Sequence, residues 1–379
     1  IEPENFKNLA SEGGVIPPAK FQSLDGHTDA VRSVAFAPGA DKTLLVSAGQ
    51  DHTVRIWDFP HRTAIKAFRG HGGSVHAASI LTDGKAVLSA AHDGVVREWS
   101  IDNYEELRTL QGRILSGHQD AILGAAYSKD QKQIITASRD RTARTWNTGT
   151  GKPEMKFEEG HAYLASTAIF FPDGRRLLTS AVDNTTRLWD VTTGGQLLRM
   201  DHTGRSAAAA VTSDGRLVAT GGDDKSVQLW DARTGALLKK LPGHIAEVTT
   251  LAFSPDHLQL ASGDAKGHVR VWNVETGEAL ANLEGHTRKI SAIAYTPDGN
   301  RILTASLDKT VGQWDAKTAK ELPKISLRHP DAVLTMKVLP NRSDRVVTSC
   351  SVLKKNGTQE VAESHLTVWN LETAQPELT

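Results

Sequence analysis

The chain has 379 residues, of which 39% are hydrophobic and 23% are charged, a composition typical of globular domains. Its 44 basic residues balance its 44 acidic residues, so no net field attracts nucleic acid or an anionic membrane, and neither is expected as a partner. The single cysteine, Cys350, excludes an internal disulfide, c-type haem attachment and cysteine-rich zinc sites, and no apolar run approaches the roughly 20 residues that span a bilayer.

The N-terminal segment 1–19 contains Pro17–Pro18 and is predicted to be an arm lying against the rest of the molecule or a linker from an upstream segment. The chain begins at Ile1 rather than Met and shows no signal peptide. A cytoplasmic location is therefore expected, with a periplasmic or exported location left open. The sequence also leaves open whether the chain is the sensor or scaffold part of a longer protein.

A repeat of about 42 residues occupies most of the remaining chain. Eight tryptophans mark its units: Trp57, Trp99, Trp146, Trp189, Trp230, Trp272, Trp314 and Trp369. A histidine lies upstream of each: His27, His71, His118, His161, His202, His244, His286 and His329. Most of these histidines follow a Gly. Such regularity indicates a repeat architecture, so each motif has to be interpreted as one member of a set.

Each unit is predicted to contain four short strands. After the His comes a β-like run such as "VRSVAF", then a turn such as "TPDG" and a second run such as "RILTAS". A tight turn containing Asp leads to a third run that ends at the Trp, and a fourth run such as "EALANL" follows. Four short strands at this spacing match one blade of a β-propeller.

A hydroxyl and a carboxylate also recur. Ten residues before the first seven tryptophans stand Ser47, Ser89, Thr136, Thr179, Thr220, Ser262 and Thr304, and alignment puts Thr348 at this place in unit eight. Six residues before the Trp stand Asp51, Asp93, Asp140, Asp183, Asp224 and Asp308. His, hydroxyl and Asp could suggest a hydrolase, but an active site is not built eight times around one molecule.

A structural role explains the recurrence. A Ser or Thr hydroxyl can accept a hydrogen bond from the buried indole N–H and donate to the His, which can donate to the carboxylate. We therefore predict structural tetrads in units one to five and seven, and no catalytic residue.

Two units depart from this pattern. Lys266 stands six residues before Trp272 and offers no acceptor to a His, so unit six is predicted to lack the carboxylate. Its network is expected to end in water or, alternatively, to mark a functional opening between units six and seven. In unit eight the segment between Ser351 and His365 replaces the Asp turn and is predicted to be a long polar loop, whose role the sequence leaves open.

The motifs "GHTDAVRSVAF" and "VSAGQDHTVRIWD", with their seven counterparts, resemble the WD-repeat (WD40) family from about Lys20 to Asn370. The resemblance implies an all-β fold, an eight-bladed β-propeller of four-stranded antiparallel blades over residues 20–370, followed by a tail, 371–379. In this family the outer strand of a blade precedes the next His. Lys20–Leu24 is therefore expected to complete the last blade and close the ring. Turns of the type "TPDG" favour a bacterial source.

Family members are usually interaction platforms without catalysis, so the resemblance implies a monomeric, cofactor-free platform for a protein or peptide. Partners in the family often dock near the ring centre, on positions three and five residues after the His and just before the Asp. These positions predict a partner-binding face formed by Arg32, Gln50, His76, His92, Leu123, Arg139, Leu164, Val182, Arg205, Asp223, Glu247, Lys289, Leu307 and Leu334. Within it, Leu123, Leu164 and Val182 are predicted to form an apolar patch beside Arg139.

An enzyme with a metal or cofactor in the central channel is the alternative. Other eight-bladed propellers hold quinone or haem, but the cysteines that attach haem are missing here. His76 and His92 could form a weak metal pair, and two histidines are too few for a zinc site without another ligand. Metal analysis of the purified protein would separate the two hypotheses.

Overall fold

The computed structural model describes residues 24–37, 44–58, 61, 63–80, 85–103, 105–110, 118–128, 133–147, 153–157, 161, 165–320, 322, 327–329, 331–339, 343–356 and 359–373. The predicted arm, all of the strand Lys20–Leu24 except Leu24, and most of the predicted tail lie outside these residues. None of the described residues forms a helix long and apolar enough to cross a membrane.

The described residues form strands β1 to β32, which span Leu24–Asp25, Val31–Phe36, Leu44–Gly49, Thr53–Asp58, Thr63–Arg69, Val75–Ile80, Ala86–Ala91, Val96–Ser100, Glu106–Leu110, Ile122–Tyr127, Gln133–Ser138, Ala143–Asn147, Pro153–Phe157, Ala165–Phe170, Arg176–Ala181, Thr185–Asp190, Gln196–Asp201, Ser206–Val211, Leu217–Gly222, Ser226–Asp231, Leu237–Pro242, Val248–Phe253, Gln259–Asp264, Val269–Asn273, Ala279–Leu283, Ile290–Tyr295, Arg301–Ser306, Thr310–Asp315, Leu327–Arg328, Val333–Val338, Arg345–Asn356 and Gln359–Asn370.

Within the described part of the chain these strands form eight four-stranded antiparallel sheets, numbered here sheet 1 to sheet 8 in the order of their tryptophans. Sheets 1 to 7 each contain four consecutive strands, from β2–β5 in sheet 1 to β26–β29 in sheet 7. Sheet 8 has the order β1–β32–β31–β30, with Leu24 opposite Leu366 and Asp25 opposite His365. The N-terminal strand is therefore the edge strand of the sheet made by the last three strands.

The core lies between neighbouring sheets rather than inside any one of them. The second strand of a sheet is buried on both faces, as in the run "LLVSAG" of β3, and such strands are expected to be continuously apolar or small. The fourth strand is mostly exposed but has one buried residue at or next to its C-terminal end. In β5 this residue is Phe68, whose ring stacks on Trp99 of sheet 2 with centroids 4.9 Å apart. Each tryptophan therefore joins its own sheet to the preceding one.

Successive sheets contact each other through their first strands, and β2 of sheet 1 also contacts β30 of sheet 8. One apolar cluster contains Leu24, Val31 and Trp57 together with Val347 and Leu366 of sheet 8. In addition, the Ser349 hydroxyl lies 3.3 Å from the carbonyl oxygen of Val31, to which it donates. The last sheet thus packs on the first.

All eight first strands carry a β-bulge at the same place, after their first residue. The residues skipped by the pairing, called bulge residues below, are Arg32, His76, Leu123, Ser166, Ala207, Thr249, Ser291 and Leu334. A bulge redirects its side chain and increases the local twist of the strand. Every sheet therefore has, at the same end, one first-strand residue that the pairing with the second strand skips.

The long polar loop predicted between Ser351 and His365 is wrong. Strands β31 and β32 continue to pair beyond the sheet, from Ser351 opposite Ser364 to Asn356 opposite Gln359. This two-stranded extension is called the ribbon below. The signal for it is Gly357, because Asn356 pairs with Gln359 and a glycine at the first position of a two-residue connection favours a tight hairpin turn.

Replacing residues 352–363 with Asn-Gly should leave the melting temperature close to that of the parent protein. The last β31 residue that also pairs with β30 is Cys350, and the described part of β1 pairs only with His365 and Leu366. Among the described residues, therefore, the two strands of the ribbon pair only with each other and not with β30 or β1. Differential scanning calorimetry measures the effect, and a large fall in melting temperature would mean that the ribbon packs on the sheets.

Candidate functional site

The predicted tetrad side chains form hydrogen-bonded series in sheets 1 to 4 and sheet 7. In sheet 7, Nε1 of Trp314 donates to Oγ1 of Thr304 at 3.0 Å. That hydroxyl lies 2.8 Å from Nε2 of His286, whose Nδ1 lies 2.8 Å from Oδ2 of Asp308. The same series joins Trp57, Ser47, His27 and Asp51; Trp99, Ser89, His71 and Asp93; Trp146, Thr136, His118 and Asp140; and Trp189, Thr179, His161 and Asp183.

A fifth member, missed by the sequence reasoning, is the hydroxyl two residues after the Asp. The Thr310 hydroxyl donates to Oδ1 of Asp308, and Thr53, Thr142 and Thr185 make the same bond in sheets 1, 3 and 4. The backbone N–H of each of these threonines donates to the same carboxylate. The sequence signal is the recurring Asp-x-Thr, in which the carboxylate organises its own turn.

The electrostatics fit a neutral imidazole that donates to an ionised carboxylate. Burial lowers the pKa of His118 and His161, which keeps both imidazoles uncharged at neutral pH. Burial alone would raise the pKa of Asp51, but hydrogen bonds from His27, Thr53 and the backbone N–H of Thr28 lower it to about 2. All these groups are engaged within the sheets, so they serve packing rather than a substrate.

The tetrad predicted in unit five is wrong. Trp230 does donate to Thr220, at 2.8 Å. His202, however, lies 3.0 Å from Thr186 of the preceding sheet, and its Nδ1 lies 2.8 Å from Oε1 of Gln228. Asp224 instead accepts hydrogen bonds from Thr203 and Ser226.

The cause is a missing residue before the histidine. Gly243 and Gly285, which precede His244 and His286, have φ angles of 140° and 155°, a region that residues with a Cβ rarely adopt. Unit five lacks this glycine, because Asp201 pairs with Thr185 as Pro242 pairs with Ser226 and is followed directly by His202. The N–H of His202 consequently donates to the carbonyl of Asn184.

The missing carboxylate predicted for unit six is also wrong, because Asp264 supplies it from the end of β23. His244 bridges Ser262, at 2.7 Å, and Oδ2 of Asp264, at 3.2 Å. The Asp264 carboxylate is fully buried and also accepts from Nδ1 of His268, at 3.0 Å, and from the N–H of Lys266, at 2.8 Å. No opening in the hydrogen-bond network exists at this point.

In sheet 8 the series stops at the histidine. Trp369 donates to Thr348 at 2.9 Å, and Thr348 lies 3.1 Å from Nε2 of His329. As in sheet 5, a residue other than Gly precedes this histidine, and the His329 N–H donates to a carbonyl of the preceding sheet, that of Lys309. Nδ1 of His329 is buried without a hydrogen-bond partner in the described part of the chain, and burial lowers the pKa of His329 to about 3.

Acid should therefore destabilise the protein through His329. Because its folded pKa lies below the ordinary 6.5, its contribution to stability is complete above pH 6.5 and is lost as the pH falls towards 3. We expect His329→Gln to reduce the slope of unfolding free energy against pH by about 1.4 kcal/mol per pH unit between pH 6 and 5. Urea unfolding at each pH measures the slope. The exposed His61→Gln is the control, and equal slopes in both variants would contradict the assignment.

The predicted partner-binding face lies at the end of the sheets that carries the bulges and the Asp turns. In sheet 1, Nη2 of Arg32 donates to Oε1 of Gln50 at 2.8 Å. In sheet 5, Nε of Arg205 donates to Oδ2 of Asp223 at 2.9 Å. The structure thus brings the start of the first strand against the residue that precedes the Asp in both sheets.

The other predicted face residues differ in exposure. Lys289 is exposed, whereas Val182, Glu247, Leu307 and Leu334 are partly buried. The side chains of Leu123 and Leu164 lie outside the described residues, so the apolar patch that they would form with Val182 stays a prediction.

His76 and His92 lie together on this face, with ring centroids 5.8 Å apart and planes at 47°. Arg32 and Arg139 lie near enough for their charges, after burial, to lower the pKa of His76. In the described part of the chain, no group of three or more His, Cys, Asp or Glu side chains is arranged to hold a metal ion.

A second candidate place is a cleft of about 340 Å³ at the edge of sheet 6. It is lined by residues 267–270 and 282–286. Its His268 is bonded to Asp264, and the Arg270 guanidinium lies over Trp272, 5.7 Å from the ring centroid. Because these polar groups already serve the sheet, the bulge-bearing face is the stronger candidate.

Comparison with known proteins gives a family for the repeat. The family described as WD domain, G-beta repeat matches more than half of the chain, in seven segments: residues 19–58, 62–100, 109–147, 151–190, 195–231, 235–273 and 277–315. Among solved structures, the computationally designed Ika8 protein is similar, with a TM-score of 0.75 and 28% identity over 92% of this chain and 98% of that chain.

Curated relatives include striatins. Human (Homo sapiens) striatin is 30% identical over 151 residues, which cover 35% of this chain and 19% of striatin, and human striatin-3 is 33% identical over 143 residues, 33% of this chain and 18% of that protein. The Dictyostelium discoideum striatin homolog is 27% identical over 177 residues, 39% of this chain and 21% of the homolog. The matches thus span about a fifth of each relative. These relatives are eukaryotic, so a bacterial source stays a prediction.

Proposed function

The chain belongs to the WD40 repeat family, and on that premise we propose that it is a non-enzymatic protein-interaction scaffold. Its eight sheets would form one closed eight-bladed propeller, which binds a protein or peptide on the face that carries the bulge residues and the Asp turns. That the chain is instead the sensor or scaffold part of a longer protein is a second proposal, and the short span of the striatin matches favours it.

The observation that carries the scaffold proposal is the bulge at the same place in all eight first strands. These eight residues have no partner in the pairing between the first and second strands, and a bulge changes the direction of its side chain relative to the sheet. In sheets 6 and 7 the bulge hydroxyls of Thr249 and Ser291 donate to carbonyls of the next sheet, both at 2.7 Å. In sheets 1 and 2 the bulge residues are instead Arg32 and His76, which can reach a partner.

The tetrads support a role without catalysis. Ser47 and Thr304 are fully buried, and each is bonded to both an indole N–H and an imidazole. A nucleophile for an external substrate has to be accessible, and these hydroxyls are not.

Closure of the ring is supported by three contacts between its ends. Leu24 pairs with Leu366, β2 contacts β30, and Ser349 donates to the carbonyl of Val31. A ring closed in this way has no terminal sheet with an exposed face, which favours a single cooperative unit.

Photo-crosslinking tests the proposed face. A photoreactive amino acid at Lys289 or Glu247 should capture a partner protein, because each position immediately precedes the first strand of its sheet, at the bulge end. The matched control positions are Arg175 and Arg216, which are exposed and lie in the turns between the first and second strands, at the opposite end of the sheets. Capture from the control positions with none from Lys289 and Glu247 would place the binding face on the other side.

A further inference from the structure

Four basic side chains from three consecutive sheets lie together on the proposed face. Arg32 and His76 are the bulge residues of sheets 1 and 2, and His92 and Arg139 precede the Asp turns of sheets 2 and 3. This set of four is called the cationic cluster below. The bulges place the first two side chains here, and the tight turns between second and third strands place the other two.

One nitrogen of the cluster is buried without a partner. Nε2 of His76 is out of contact with solvent and makes no hydrogen bond with any described residue. A buried polar atom in this state costs free energy, which a bound ligand could recover. The neighbouring His92 is exposed, and its ring centroid lies 5.8 Å from that of His76.

The two arginines of the cationic cluster are not neutralised by carboxylates of the described residues. The Arg32 guanidinium donates to the amide oxygen of Gln50, a neutral partner. Neither Arg32 nor Arg139 forms an ion pair with a carboxylate of the described residues, whereas Arg205 on the same face is paired with Asp223. Burial and the charges of Arg32, His92 and Arg139 all lower the pKa of His76, so this part of the face favours an anion.

We propose that the cationic cluster binds a carboxylate-rich segment of the partner protein, an inference that rests on the scaffold function proposed above. Arg32 and Arg139 form charge-assisted hydrogen bonds with its carboxylates, and His76 and His92 donate to them when protonated. The balance of 44 basic and 44 acidic residues over the whole chain favours a short acidic peptide over a nucleic acid, whose binding needs an extended basic surface.

Binding should strengthen in mild acid. A bound carboxylate favours protonated His76, whereas the groups facing it in the free protein disfavour protonation: Arg32 from β2, His92 from the turn between β7 and β8, and Arg139 from the turn between β11 and β12. Affinity should therefore rise as the pH falls from 7.5 to 6 and more imidazole becomes protonated.

Fluorescence anisotropy with a labelled octaglutamate peptide tests the site on the full chain. We expect binding that weakens with salt, and a loss of about tenfold or more in affinity for the double variant R32Q/R139Q. The control R175Q/R216Q, which removes the same charge from the opposite face, should bind like the parent. The double variant H76Q/H92Q should retain binding at pH 7.5 but lose the gain at pH 6, and thermal melts of all variants verify folding.

The inference is overturned if octaglutamate does not bind, if R32Q/R139Q binds it as tightly as the parent, or if oligo(dT) binds the cluster more tightly than octaglutamate. Crosslinks at Lys289 and Glu247 are independent of these probes. If those crosslinks form while octaglutamate fails to bind, the scaffold face stands and only the acidic-segment inference falls.

Discussion

Deleting residues 1–25 should lower the melting temperature more than any single substitution in the protein. The deletion removes β1, which leaves β32 without its outer neighbour, and it removes Leu24, which is 3% exposed and packs with Trp57 and Leu366. Leu24→Ala alone should cost about 2–4 kcal/mol of unfolding free energy through the cavity that it leaves. Differential scanning calorimetry and urea unfolding measure the two effects.

Deletion of residues 1–19 is the matched control, because it removes the predicted arm and keeps the strand. That variant should melt like the full chain. If the two deletions melted at the same temperature, the N-terminal strand would contribute nothing to the last sheet, and the proposed closure of the ring would be wrong.

Replacing Asp264 with Ala should cost about 3 kcal/mol of unfolding free energy, because several buried hydrogen-bond donors lose their charged acceptor. The carboxylate is fully buried and accepts hydrogen bonds from His244, from His268 and from backbone N–H groups. Its removal leaves the Nδ1–H of His244 without an acceptor. Asp224→Ala is the matched comparison and should cost about 1 kcal/mol, because Asp224 bonds to Thr203 and Ser226 and not to His202.

The ionisation of Asp264 also makes the free energy of unfolding depend on pH. Burial alone would raise the pKa of Asp264, but hydrogen bonds from the backbone N–H groups of His268 and Lys266 and from the His244 imidazole lower it below the ordinary 3.8. Its stabilisation is therefore present above about pH 4 and is lost as the pH falls through the folded pKa. The difference in urea stability between Asp264→Ala and the parent should shrink below pH 4. Equal losses in Asp264→Ala and Asp224→Ala at pH 7 would contradict the hydrogen bonding of sheets 5 and 6.

The periodic features of the sequence predicted the periodic features of the structure. The spacing of tryptophan, hydroxyl, histidine and aspartate follows from strand length and turn length, so units with normal spacing assemble as expected. Sheet 7 shows this: Trp314, Thr304, His286 and Asp308 form the predicted series.

The departures have local causes that the spacing from histidine to tryptophan does not capture. Unit five lacks the glycine that separates Pro242 from His244 in unit six, so His202 directly follows the strand residue Asp201 and turns to Thr186 and Gln228. Asp264 stands two residues before the expected position, where a carboxylate at the end of β23 still reaches His244. Both signals are visible in the sequence, but their effect depends on backbone geometry.

The proposed binding face was only partly predictable. The resemblance to WD-repeat proteins implied which positions lie together, and Arg32 contacts Gln50 and Arg205 contacts Asp223 at the bulge end of their sheets. The bulges of the first strands could not be predicted from the distribution of apolar residues, because one extra residue in a mostly buried strand hardly changes that distribution. That Nε2 of His76 is buried without a hydrogen-bond partner among the described residues depends on its three-dimensional surroundings, which the sequence does not show.

Hydrogen–deuterium exchange with and without the crosslinked partner tests the scaffold proposal most directly. We expect new protection in peptides that contain the bulge residues and Asp turns, such as residues 31–36 and 75–80, and none in the turns that contain Gly174 and Gly215. Protection confined to those turns would instead place the partner at the opposite end of the sheets.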